Sequence, residues 1–150
     1  MRIIVDANII FSGILNTNGK IGDLLINSEK HFDFIAPYFL REEIRKHYER
    51  LMAISKLTIG NVLEAESQVC KDITFISEEQ VSTANWSSAE KLVSDIDPKD
   101  THYVAFSKQF HCKIWTGDKQ LMAGLVKKGF KNLITTDELF KLREEQQRKT

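Results

Sequence analysis

Long apolar runs, paired cysteines, proline and net charge are all scarce in this chain of 150 residues, and each shortage removes a class of protein. No stretch approaches the 18 or more apolar residues of a membrane span. The two cysteines, Cys70 and Cys112, stand far apart in sequence and match neither a disulfide scaffold nor a cysteine-based zinc site. His31, His47, His102 and His111 show no HExxH or other zinc spacing. The 21 Lys and Arg residues balance 21 Asp and Glu residues, which excludes a bulk electrostatic grip on nucleic acid but not a local basic patch. Two prolines and seven glycines leave no low-complexity segment, and no internal repeat is present.

What remains is an ordinary globular composition, 42% hydrophobic and 28% charged. Residues 1–150 fit one domain, and a chain of this length buries about 68–70% of its unfolded surface. At the start, Arg2 precedes Ile3, Ile4 and Val5, and Asp6 and Asn8 then interrupt the apolar run. Residues 9–15 could serve as a signal-peptide core, but no small-residue cleavage site follows, so a strand ending at Asp6 is the simpler reading. A cytoplasmic protein is expected.

Short apolar runs alternate with longer helical patterns. Strands are predicted over residues 2–5, 32–36, 73–76, 113–116 and 132–135, most of them rich in Ile, Val or Phe. Helices are predicted over residues 21–28, 37–55, 59–71, 89–94, 101–110 and 119–128, with a last one starting near Asp137. Capping-box spacing joins Ser77 to Gln80, Ser87 to Glu90 and Thr135 to Glu138. This alternation predicts a three-layer α/β/α sandwich around a mostly parallel sheet of four to five strands. The mixed charges of residues 141–150 read as the solvated end of the last helix.

Four acids stand where such a fold builds sites. Asp6 follows the first strand, Asp118 follows the fourth after one glycine, and Asp100 opens a helix. Sites in open parallel sheets form outside the carboxyl ends of the strands. A plainer role exists for each, because an Asp at a helix N-terminus caps free N–H groups. In Asp97-Pro98-Lys99-Asp100, Asp97 reads as that cap and Asp100 as the site candidate, though the cluster of Asp95, Asp97 and Asp100 leaves the choice open. The fourth acid follows from a helical wheel. Leu40, Ile44, Tyr48 and Leu51 form an apolar stripe, with Glu43 roughly 95° and Glu42 roughly 165° from its centre. Glu43 therefore borders the stripe and Glu42 faces solvent, while His47 falls inside it as a packed histidine.

Two carboxylates about 5 Å apart repel by roughly 3 kcal/mol at an effective dielectric near 20. Gathering four acids therefore needs an offset, and a divalent cation provides it better than protonation does. All the ligands on offer are oxygens, including the neutral ones of Asn8 and Thr116, which favours Mg²⁺ or Mn²⁺ over zinc. Convergence of Asp6, Glu43, Asp100 and Asp118 to metal-bridging distance is the structural expectation.

At these residues the sequence resembles the PIN domain family, metal-dependent nucleases that include many toxins of bacterial toxin–antitoxin pairs. Ile4-Val5-Asp6-Ala7-Asn8 is similar to the family's strand ending in D-x-N, with Ser12 following in a short loop. Arg41-Glu42-Glu43-Ile44 resembles its helical acid element, which selects Glu43 as the wheel does. The stretch from Asp100 to Ser107 resembles its acid-led helix, and Trp115-Thr116-Gly117-Asp118-Lys119 its T-x-D element. The likeness spans roughly residues 1 to 140.

The resemblance implies one or two Mg²⁺ or Mn²⁺ ions held by Asp6, Glu43, Asp100 and Asp118, with Asn8, Ser12 and Thr116 orienting acids or substrate. It implies hydrolysis of RNA phosphodiesters by a water activated at the metal, leaving 5′-phosphate and 3′-hydroxyl ends. It also implies an antitoxin partner and a homodimer. Phosphate contacts are sought in Lys20, Arg41, Arg45, Lys99 and Lys119, each of which also reads as a plain surface charge. Trp86 and Trp115 are candidates for base stacking, although Trp115 lies in a strand expected to be buried. The alternative is a non-catalytic PIN-like interaction module, which has no reason to keep four repelling acids. A receiver domain is disfavoured because residues 32–36 end without an Asp, and a D-x-D phosphatase because position 8 is Asn.

Overall fold

The computed structural model describes residues 1–149. Five strands form the sheet: β1 (Arg2–Val5), β2 (Asp33–Pro37), β3 (Ile73–Ile76), β4 (Lys113–Trp115) and β5 (Leu133–Ile134). Their spatial order is β3-β2-β1-β4-β5, and every neighbouring pair is parallel. Ile4 lies opposite Ile35 on one side and Ile114 on the other, which sets the central register.

Parallel strands need helical crossovers, and these cover both faces. Successive strand residues point to opposite sides. Ile3, Val5, Phe34, Ala36 and Trp115 therefore join one core, and Ile4, Ile35 and Ile114 the other. The first core is closed by α1 (Ala7–Leu15), α2 (Lys20–Ile26), α3 (Phe39–Lys46), α4 (Tyr48–Ser55), α5 (Ile59–Cys70) and α9 (Thr136–Arg148). The second is closed by α6 (Thr83–Val93), α7 (Thr101–Phe110) and α8 (Lys119–Lys127). The result is the expected three-layer α/β/α sandwich with a fully parallel sheet. Among the described residues, no helix is long and apolar enough to cross a membrane.

Four local features depart from the sequence reading. Residues 7–15 form α1, where no helix is expected. Its Ile9, Ile10, Phe11 and Ile14 leave no polar stripe to reveal a helical period, because Ile9, Ile10 and Ile14 are buried and Phe11 packs half-buried against them. Gly13 lets this helix close on its neighbours, since a Cβ there would lie 2.9 Å from Leu25 Cδ1 and 3.3 Å from Val69 Cγ1.

The expected helix over 37–55 is two helices. His47 leaves helical geometry at φ −106° and ψ 10°, and its N–H bonds the carbonyl of Ile44 at 3.1 Å, the tighter i−3 pattern. No Pro or Gly marks this break. Next, α6 begins at Thr83 rather than 89, with Ser82 accepting the Asn85 N–H at 3.1 Å, so Ser87 lies inside the helix and caps nothing. Ser77 caps only the short 3-10 turn Glu78–Gln80, whereas Thr135 and Glu138 do form a capping box. Finally, Arg143 in the charged tail turns inward. Its guanidinium reaches Asp23 Oδ2 at 2.5 Å and Ser28 Oγ at 3.1 Å, tying α9 to α2. Thr150, the end of that tail, lies outside the described residues.

Candidate active site

Beside β1 the chain order of the sheet reverses: β2 lies on one side and β4 on the other. Crevices form at the carboxyl ends of strands at such a switch point. Asp6 follows β1 and Asp118 follows β4, so these two acids flank it, and the Asp6 N–H still bonds the Trp115 carbonyl at 3.4 Å. A cavity of about 490 Å³ opens here, with Asp6, Glu43, Asp97, Asp100 and Asp118 in its walls together with Asn8 and Ser12.

Each acid is held by the local chemistry of its own segment. Asp6 caps α1 by accepting the Ile9 N–H at 3.0 Å on Oδ1. Asp118 caps α8, accepting the Gln120 and Leu121 N–H groups, both at 3.0 Å and both on Oδ1. Asp97 caps the 3-10 turn Pro98–Asp100 by accepting the Lys99 N–H at 3.0 Å. Asp100 stands at the start of α7 without a side-chain cap bond. Capping and lining the cavity are thus compatible, since Asp6 and Asp118 each cap a helix and still form part of the cavity wall. Thr116 is fully buried and accepts the Asp118 N–H at 3.1 Å, while its side chain also hydrogen-bonds Asp6. One hydroxyl thereby links the acids that follow β1 and β4.

Burial makes these charges costly. Asp6 is 3% exposed. Its pKa is pushed up from 3.8 to about 6, first by desolvation and then by the charge of Asp118, against hydrogen bonds from Thr116, Ile9 and Asn8. Asp100 is pushed up to about 7 by desolvation and by Asp97, Asp6 and Asp118. Glu43, 8% exposed, approaches from α3, with Lys46 Nζ at 3.6 Å and His47 Nε2 at 3.8 Å. The wheel's distinction holds, with Glu43 buried and Glu42 exposed. His47 lies half-buried at the helix break, edge-on to Phe11 at 5.3 Å, and lines the cavity.

The expectation of a ready four-acid shell needs correcting. Among the described residues, no group of three or more His, Cys, Asp or Glu side chains is gathered so as to hold a metal ion. The Asp6 and Asp118 carboxylates are instead engaged by helix N–H groups, and Glu43 by Lys46 and His47. The donor chemistry nevertheless fits a hard divalent cation: the carboxylates around the cavity are flanked by neutral Asn and Ser oxygens. The upward shifts of Asp6 and Asp100 mark negative charge that a cation would relieve.

Two polar lining residues, Tyr103 and Arg50, escape the sequence reading. Tyr103 follows Asp100 by three positions, a spacing that shares a helix face. Arg50 follows Glu43 and His47 at i+7 and i+3, which is the only trace of it in the sequence. Of the basic candidates, Lys99 lines the cavity, Lys20 pairs with Asp137 at 2.9 Å, and Arg41 lies over the Phe75 ring at 3.9 Å. Arg45 and Lys119 are exposed. Trp115 is fully buried, its Nε1 donating to Thr136 Oγ1 at 3.0 Å, while Trp86 is half-buried and edge-on to His102 at 4.8 Å.

Comparison with known families agrees with this arrangement of strands. The profile of the PIN domain matches residues 4–143. The chain belongs to the PIN domain family. Among solved structures, this PIN domain is similar to VapBC2 from Rickettsia felis, a structure bound to a DNA fragment from its promoter. That likeness has a TM-score of 0.64 and 12% identity, covering 90% of this chain and 97% of the other. It is also similar to PAE2754 from Pyrobaculum aerophilum, with a TM-score of 0.66 and 12% identity over 95% of this chain and 89% of the other. At such identities the likeness is one of fold. No curated protein sequence matches the chain.

Proposed function

We propose that this PIN domain protein is a Mg²⁺- or Mn²⁺-dependent endoribonuclease, the toxin of a toxin–antitoxin pair. The observation that carries the reading is the meeting of Asp6, Glu43, Asp100 and Asp118, from four separate segments, around one cavity at the switch point of the sheet. Asp6, Asp100 and Asp118 would hold the cation, with Glu43 joining from the α3 wall. When bound, the cation supplies Lewis-acid charge for phosphodiester hydrolysis.

The chain's own residues do the rest. Thr116 and the N–H groups of Ile9, Gln120 and Leu121 fix the aspartates, so that few rotamers are lost on binding. In the metal-free protein Asp100 is raised to about 7, so a cation binding there displaces a proton. Arg50 and Lys99 bring positive charge to a cavity dominated by acids and are the candidate phosphate contacts. Asn8 and Ser12 offer neutral oxygens at the mouth for orienting substrate. For the partner, Leu15, Ile54, Ile59 and Leu63 are exposed on α1, α4 and α5, helices that pack on one another. Apolar groups placed so suit a protein such as an antitoxin, or a second copy of the chain.

The test is incubation of the protein with a mixed RNA pool and Mn²⁺, with EDTA and Asp100→Asn as controls. Cleavage leaving 5′-phosphate ends, lost in both controls, is the expected result. A folded protein that neither cuts RNA nor binds Mn²⁺ would favour the interaction-module reading, whereas Mn²⁺ binding without cutting would mean the right pocket and the wrong RNA.

A further inference from the structure

Tyr103 is 3% exposed, yet its side chain reaches the wall of the acidic cavity. Among the described residues its hydroxyl oxygen is buried and has no hydrogen-bond partner. The charges of Asp6, Asp100 and Glu43 act on it, but none of these carboxylates bonds it. The Ala7 N–H acts in the opposite sense without completing a hydrogen bond. A buried hydroxyl without a partner is destabilising, and buried polar atoms are almost always satisfied. Phenylalanine would fill the same place in the core beneath α7, where Tyr103 packs with Val104, Phe106 and Leu121, and edge-on to Phe39 at 6.5 Å. The protein itself thus leaves this hydroxyl without a partner at the wall of the cavity.

The chemistry that would satisfy it follows from the surroundings. An ordinary phenol, with a pKa of about 10, keeps its proton at neutral pH. A protonated phenol is a poor ligand for a cation and a good donor to an anionic oxygen. In a cavity whose walls are acidic, donors able to receive a phosphate are few, and Arg50 and Lys99 are the long cationic side chains beside it. We infer that the Tyr103 hydroxyl donates a hydrogen bond to a non-bridging oxygen of the phosphodiester bound in this cavity. The inference rests on the nuclease reading and assigns to it a residue that contacts substrate.

Tyr103→Phe removes the donor and keeps the ring. The probe is a pool of mixed-sequence RNA decamers, bound in Ca²⁺ and cut in Mn²⁺. The variant is expected to bind the pool about tenfold more weakly, the effect of one hydrogen bond to a charged group. Its melting temperature should stay level or rise, and its Mn²⁺ affinity should not change. In the wild type, labelled at tyrosine Cζ and assigned with the variant, the Tyr103 resonance should shift when RNA saturates the protein. Binding within twofold of wild type, or an unmoved resonance at saturation, overturns the assignment and leaves the nuclease reading intact. Loss of Mn²⁺ affinity in the variant overturns it in favour of a role in holding the acids. A wild type that neither binds Mn²⁺ nor cuts the RNA pool overturns the nuclease reading and the assignment together.

Discussion

Replacing the buried acid should make the metal-free protein more stable. In the folded chain the carboxyl of Asp6 is raised from 3.8 to about 6, because it is desolvated and lies near the charge of Asp118. Between those two values the folded state binds more proton than the unfolded state, so stability falls as pH rises through that window. The penalty is fully developed above pH 7. A shift of roughly two units corresponds to about 3 kcal/mol, since each unit is worth about 1.36 kcal/mol. Asp6→Asn removes the charge and keeps an oxygen to accept the Ile9 N–H, and Asn is as good a helix cap as Asp. Some of the gain is lost because an amide accepts on one side only, where the carboxylate takes bonds from both Ile9 and Thr116. The net expectation is about 2 kcal/mol at pH 8, or about 4–8 °C in melting temperature for a chain of this size. The assay is thermal and urea unfolding of both proteins in EDTA at pH 8 and pH 4.5. The gain should shrink toward zero at the lower pH, where the wild-type carboxyl is protonated. A variant no more stable than wild type at pH 8 would refute the view of Asp6 as a desolvated charge awaiting a cation.

Arg143→Ala should cost about 2 kcal/mol in urea unfolding, because it leaves Asp23 and Ser28 without a charged donor between α2 and α9; a loss under 0.5 kcal/mol would contradict this. Gly22→Ala should cost about 1–3 kcal/mol, since a Cβ there would stand 2.4 Å from the Thr17 carbonyl oxygen, a backbone atom that cannot swing aside. Mn²⁺ affinity, measured calorimetrically, should rise between pH 6 and pH 8 as Asp100, raised to about 7, gives up its proton. Asp100→Asn should flatten that rise, and an affinity independent of pH in the wild type would count against a role for this acid.

The sheet was legible because its strands are buried on both faces and read as short runs of Ile, Val and Phe between turns. The acids at its carboxyl edge were legible for a related reason: Asp6 and Asp118 each sit where a strand gives way to a helix that needs a cap. What escaped detection was information carried by tertiary packing. The helix α1 has too little polar surface to show a period, and only the close approach of Leu25 and Val69 at Gly13 explains its place. The break at His47 has no Pro or Gly to announce it and coincides with the ring contact to Phe11. The start of α6 is ambiguous in the sequence because Ser82 and Ser87 are equally good caps in isolation. Tyr103 reads as one more core aromatic until its hydroxyl is found beside three acids.

The central claim is that the acids around this cavity form a divalent-cation site, and titration with Mn²⁺ followed by electron paramagnetic resonance tests it most directly. The account expects wild type to bind at pH 8, Asp6→Asn and Asp118→Asn to lose most of that affinity, and Glu42→Gln, altered at an exposed neighbour, to keep it. Equal binding by all four proteins, or none by folded wild type at millimolar Mn²⁺, would contradict it.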